Sequence, residues 1–149
     1  MEPTHRDQEV GMKTLHTAYR ISDLDTSLAF YRALGYREVQ RVHPDPGTVL
    51  VMLAFPGEPV ISLELVHRPG DAPVELGTGF HHLVVQVHDL AAAVVGLRLA
   101  GLEPESIRPF DGAGGGGTSW VSDPDGYRIE LVQWPRGHAD GIPARPGSD

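Results

Sequence analysis

Two histidines and two glutamates recur at one spacing: 82 − 16 and 130 − 64 both equal 66, so His16 maps onto His82 and Glu64 onto Glu130. Together they offer two imidazole nitrogens and two carboxylate oxygens, a borderline-hard set that suits nickel, cobalt, zinc, iron or manganese, completed toward octahedral by water. The chain has no cysteine, which excludes thiolate metal sites, disulfides and a cysteine nucleophile. An ion held this way keeps positions for substrate oxygens and can act as a Lewis acid toward a developing enolate. A glutamate bound weakly enough to swing off could then carry a proton.

Taken singly, a strand glutamate is usually a solvated residue and a strand histidine a hydrogen-bonded structural one. Repetition at a common offset favours a shared site instead. Glu64 lies between Leu63 and Leu65, and Glu130 between Ile129 and Leu131. A carboxylate so flanked must face solvent or a compensating partner, because burying it unpaired is costly.

The same shift superposes Asp23-Leu24 on Asp89-Leu90, Gly35 on Gly101 and Leu65-Val66 on Leu131-Val132, with no gap required. Apolar positions follow, with Leu28 on Val94 and Tyr31 on Leu97. Each copy reads as a strand opened by histidine (LHTAYRI, HHLVVQV), then a helix (SDLDTSLAFYRALG, HDLAAAVVGLRLAG) capped by Ser22 or Asp23 in the first copy and closed by glycine. Three β-rich runs complete each copy: YREVQRV, VLVMLAF and VISLELV, then LEPESIRPF, TSWVS and YRIELVQW. The expected fold is α+β, two tandem βαβββ modules whose curved mixed sheets surround the metal site. Expected boundaries are an arm at 1–13, one domain at 14–134 (modules 14–67 and 80–134, linker 68–79), and a mobile Gly/Pro-rich tail at 135–149.

His81 competes with His82, but side chains alternate along a strand and the repeat selects His82. The run Gly114 to Gly117 reads as a hairpin loop, with a lid over the site as the functional alternative. It lacks the lysine and following helix of a phosphate-binding loop.

With 12 basic and 20 acidic residues the formal charge is −8, which argues against nucleic acid and anionic membranes as partners and for a small-molecule substrate. The amino terminus has no signal-peptide core and no apolar run reaches the ~20 residues of a membrane span, so a soluble cytoplasmic protein is expected.

The segments LHTAYRISDLDTSLAFYRALGY, VISLELV, ELGTGFHHLVVQV and DPDGYRIELV resemble the bacterial glyoxalase I (lactoylglutathione lyase) family of the vicinal-oxygen-chelate superfamily, over nearly everything from Leu15 to Val132. The resemblance implies that His16, Glu64, His82 and Glu130 ligate one divalent metal per site, nickel or cobalt ahead of zinc. It makes Glu130 the catalytic base and Glu64 its counterpart across the site. It also implies a thiol cosubstrate and a homodimer, with the site inside one chain or completed across the subunit interface. The implied reaction turns the hemithioacetal of methylglyoxal and a thiol into a lactoyl thioester through an enediolate. Arg20 matches a family arginine that holds a carboxylate of glutathione. Arg68 stands where glutathione-using relatives carry asparagine, and is the other expected substrate contact. Within the superfamily the alternatives are an epimerase, a dioxygenase or a ligand-sequestering resistance protein, all of which generally lack the complete quartet.

Overall fold

The structure, a computed structural model, describes residues 11–142. Most of the expected arm and the end of the expected tail lie outside those residues.

The first module runs β1 (Thr17–Arg20), α1 (Leu24–Leu34), β2 (Arg37–Val42), β3 (Val49–Ala54), β4 (Leu63–His67). The second runs β5 (Leu83–Gln86), α2 (Leu90–Leu99), β6 (Arg108–Pro109), β7 (Gly117–Ser122), β8 (Arg128–Gln133). Each forms a four-stranded mixed sheet, ordered β1-β4-β3-β2 and β5-β8-β7-β6. The first and last strands of each module pair in parallel and the other neighbours pair antiparallel. This is the α+β tandem-module fold expected from the repeat.

The helix ends follow from the repeated cap residues. Asp23 and Asp89 each accept a hydrogen bond from the amide three residues on, at 2.8 and 3.0 Å, which satisfies one of the free donors at the helix start. Gly35 and Gly101 close the helices with positive φ, and the next amide in each case reaches back five residues, Tyr36 to Tyr31 and Leu102 to Leu97.

Strand alternation sorts each sheet into two faces. Val51, Leu53, Leu63 and Leu65 in the first, and Val121, Ile129 and Leu131 in the second, are buried against the helices in one core that also takes Leu28, Tyr31, Val94 and Leu97. The opposite face stays partly open, with Leu50, Met52, Glu64 and Val66 in one sheet and Thr118, Trp120 and Glu130 in the other.

Two expectations change. The ungapped repeat breaks at the third strand: Met52 pairs with Glu64 but Trp120 pairs with Glu130, an offset of 120 − 52 = 68. The shorter β7–β8 turn absorbs the difference. The expected strand LEPESIRPF shrinks to Arg108–Pro109. Pro104 and Pro109 cannot donate to a ladder, so this edge is held to β7 by single bonds instead, from the Glu105 amide to the Trp120 carbonyl and from the Ser119 hydroxyl to the Glu105 carbonyl.

Candidate functional site

In the first module His16 immediately precedes β1, and the β1–β4 register sets Thr17 beside Leu63 and Ala18 beside Glu64. His16 and Glu64 therefore share the open face. The His16 Nε2–H donates to Glu64 Oε1 at 2.9 Å, with both side chains about four-fifths buried (21% and 15% exposed). The second module repeats this seating. Leu83 lies beside Ile129 and Val84 beside Glu130, and His82 precedes β5 as His16 precedes β1.

The occupants of the second seat differ. His82 packs edge-on against the Trp120 indole, with ring centroids 4.8 Å apart, and its Nδ1 lies 2.6 Å from His81 Nδ1. Glu130 makes no hydrogen bond or ion pair among the described residues. The Arg128 guanidinium lies over the Trp120 ring at 4.5 Å and pairs with Glu105 at 2.8 Å. A cleft of ≈ 610 Å³ lined by Trp120, Arg128, Glu105 and Leu102 adjoins this face.

The structure brings His16 to Glu64 and gives His82 and Glu130 the same register, but the four do not converge. Among the described residues no three His, Asp or Glu side chains gather closely enough to hold a metal. One chain carries two separate histidine–glutamate pairs, one in each module. By donor type each fits a divalent ion: an imidazole and a carboxylate on one face, already in contact in the first module.

The expected substrate arginines are engaged elsewhere. Arg20 donates to the Ala72 carbonyl at 2.8 Å and approaches Asp71 at 3.9 Å, clasping the linker. Arg68 donates to the Thr48 hydroxyl at 3.1 Å and to Asp45 at 3.3 Å, bracing the β2–β3 turn.

Alternation does not separate His81 from His82 as expected, because both precede β5 and lie outside the pleated strand. Their rings converge, at 4.8 Å between centroids. The doubled histidine at a strand entry was the available signal for this contact. The glycine run is a close crossing of backbones: a Cβ on Gly116 would lie 2.4 Å from the Gln133 carbonyl oxygen, and one on Gly117 2.5 Å from that of Arg108. Beyond β8 the chain keeps defined contacts, with the Arg136 amide on Gly114, the Gln86 side chain on the Asp140 carbonyl, and the Trp134 and His138 rings stacked 4.4 Å apart.

The modules are joined by a buried polar cluster that the sequence did not single out. Asp123 accepts the Tyr31 hydroxyl at 2.8 Å and the amides of Asp125 and Tyr127, each at 2.8 Å. Tyr31 also bonds the Tyr19 hydroxyl, Tyr127 donates to the Arg20 carbonyl at 2.7 Å, and Tyr19 stacks on Tyr127. Burial raises the pKa of Asp123 above the usual carboxylate value, against the opposing pull of its hydrogen bonds, and raises those of Tyr31 and Tyr19.

Comparison with known proteins agrees with this architecture. Lactoylglutathione lyase of Haemophilus influenzae is 34% identical over 127 residues, covering 82% of this chain and 93% of that protein. Lactoylglutathione lyase of Escherichia coli O157:H7 is 34% identical over 131 residues, with 82% and 93% covered. Among solved structures, the trypanothione-dependent glyoxalase I of Leishmania major superposes with a TM-score of 0.67 at 29% identity, covering 82% of this chain and 86% of that one. The family profile described as Glyoxalase/Bleomycin resistance protein/Dioxygenase superfamily matches residues 13–131, and the chain belongs to that superfamily.

Proposed function

We propose that the protein is a metal-dependent glyoxalase I, isomerising the hemithioacetal of methylglyoxal and a small thiol to the lactoyl thioester. The observation that carries this reading is the contact of His16 with Glu64 at 2.9 Å, repeated in register by the seats of His82 and Glu130. Relatives that are named lactoylglutathione lyases support the same activity and make glutathione the first thiol to test. The Leishmania major relative, described as trypanothione-dependent, makes a second thiol worth testing in parallel.

Two donors per module are too few for the four-ligand set, and a second copy of the chain supplies the rest. In this arrangement a homodimer holds two centres, each with His16 and Glu64 from one protomer and His82 and Glu130 from its partner. The partly open sheet faces that carry Met52 and Trp120 would then face each other across the substrate.

A divalent metal bound there would supply Lewis-acid stabilisation of charge on the substrate oxygens. The chain's own part is proton transfer and positioning. Glu130, unpaired among the described residues, removes the C1 proton of the hemithioacetal and returns it at C2, while the C1 hydroxyl proton passes to the C2 oxygen, so nothing is gained or lost overall. Glu64, on the same face as His16, is its counterpart across the site. Arg20 reaches a substrate carboxylate by exchanging the Ala72 carbonyl for it, and Arg68 by leaving Asp45.

The test is thioester formation by metal-stripped protein reconstituted separately with nickel, cobalt and zinc, using methylglyoxal with glutathione and with other thiols. Metal-dependent turnover supports the proposal. Metal binding without turnover on any thiol moves the reading to an epimerase, a dioxygenase or a sequestering protein.

A further inference from the structure

Among the described residues His82 is the candidate ligand whose imidazole meets two other rings. Trp120 packs on it through an apolar contact, with ring centroids 4.8 Å apart, and His81 meets it through a polar one, Nδ1 to Nδ1 at 2.6 Å. Two Nδ1 atoms at that separation share one proton: one ring donates and the other accepts. If His82 donates, its Nδ1 carries the hydrogen and its Nε2 keeps the lone pair. His81 then accepts at Nδ1 and carries its own hydrogen on Nε2, so both rings stay neutral and each proton is accounted for. The first module turns the same nitrogen inward, since His16 directs Nε2 at Glu64.

We propose that His81 is a positioning residue for His82: by accepting the Nδ1 proton it fixes the ring orientation and the tautomer that leaves Nε2 available as a metal ligand. A metal-ligating histidine is ordinarily held in this way through its other ring nitrogen, by a carboxylate, a carbonyl or water. Here a neighbouring imidazole does it, because both residues precede β5 and escape the alternation that would send them to opposite faces. The first module has no counterpart, as Leu15 stands 66 positions before His81. The role rests on the metal-site reading above, whereas the His81–His82 contact itself does not.

The test compares His81→Ala, which removes the acceptor, with His81→Asn, which keeps an oxygen near the place of Nδ1. His81 is exposed, so neither change empties the core. Nitrogen-15 shifts of the His82 ring in metal-free protein report the tautomer, and chelator competition reports nickel affinity. Expected for His81→Ala are a shift of His82 toward the Nε2–H form and a roughly 10- to 100-fold loss of nickel affinity. His81→Asn should restore both toward wild type. An unchanged His82 tautomer in His81→Ala overturns the proposal, as do equal losses of affinity in the two variants. Wild-type protein that binds no nickel, cobalt or zinc would instead overturn the metal-site reading, and the ring shifts would still decide whether His81 orients His82.

Discussion

Trp120 stands directly across the β7–β8 ladder from Glu130, whereas Met52 holds the corresponding place across from Glu64. The two carboxylates therefore occupy one seat in different company. Glu64 is pinned by the His16 ring at 2.9 Å. Glu130 faces an indole that is itself engaged by the His82 ring and by the Arg128 guanidinium. Among the described residues one carboxylate of the repeat is hydrogen-bonded and the other is not, a difference that suits the proposed roles of ligand and base.

That difference gives the first prediction. Glu130→Gln should lower kcat by about 10²- to 10⁴-fold, the usual worth of a positioned base, with the circular dichroism spectrum and Tm unchanged. Glu64→Gln should weaken nickel binding, measured by chelator competition, more than it slows turnover at saturating metal. Wild-type-like turnover by Glu130→Gln would remove it as the base.

Asp123 gives a prediction about stability. Asp123→Ala leaves the Tyr31 hydroxyl and the amides of Asp125 and Tyr127 without their acceptor, and should cost about 2–4 kcal/mol in urea unfolding. Asp123→Asn keeps an oxygen for the two amides and should cost less.

The pH dependence of the same residue has a definite sign. Burial raises the folded-state pKa of Asp123. Its contribution to stability is therefore fully present below the unfolded value of about 3.9 and is lost as pH rises through the folded pKa. The stability of wild type relative to Asp123→Asn should fall as pH is raised from about 4 toward neutrality, read as the difference between urea midpoints at each pH. A difference that rises over that range would contradict the assignment.

The helix α2 offers a stabilising change. Gly96 lies inside Leu90–Leu99 at an exposed position, and a Cβ there would meet nothing within 4 Å. Gly96→Ala should raise stability by about 0.5–1 kcal/mol through the smaller backbone entropy loss on folding. A lowered Tm would show that the position needs its glycine.

The sequence revealed the fold wherever the two copies agree: the aspartate caps, the closing glycines and the parallel registers Thr17–Leu63 and Leu83–Ile129 all keep the 66-residue offset. It misled where they differ. A two-residue shift in β7 and two prolines before it cannot be seen by sliding the chain at a single offset. The metal-ligand candidates were legible because they repeat. The His81–His82 contact and the Tyr31–Asp123 pair were not: the repeat counterpart of His81 is Leu15, and Tyr31, superposed on Leu97, reads as one more apolar helix position. The placement of Arg20 and Arg68 depends on loop carbonyls and hydroxyls whose approach no local pattern encodes.

The glycine loop supplies the last prediction. Gly115 and Gly116 both have positive φ, at 71° and 85°, so alanine at either should cost about 1–2 kcal/mol of backbone strain. They differ in what surrounds them. A Cβ on Gly115 meets nothing within 4 Å, while one on Gly116 would lie 2.4 Å from the Gln133 carbonyl oxygen and 3.0 Å from the Pro135 nitrogen, backbone that cannot rotate aside. Gly116→Ala must therefore displace the end of β8, the strand that carries Glu130. It should lower the urea midpoint more than Gly115→Ala does and also reduce turnover, whereas Gly115→Ala should keep turnover near wild type. Equal effects of the two substitutions on both measurements would show that the loop acts through its flexibility rather than through this crossing.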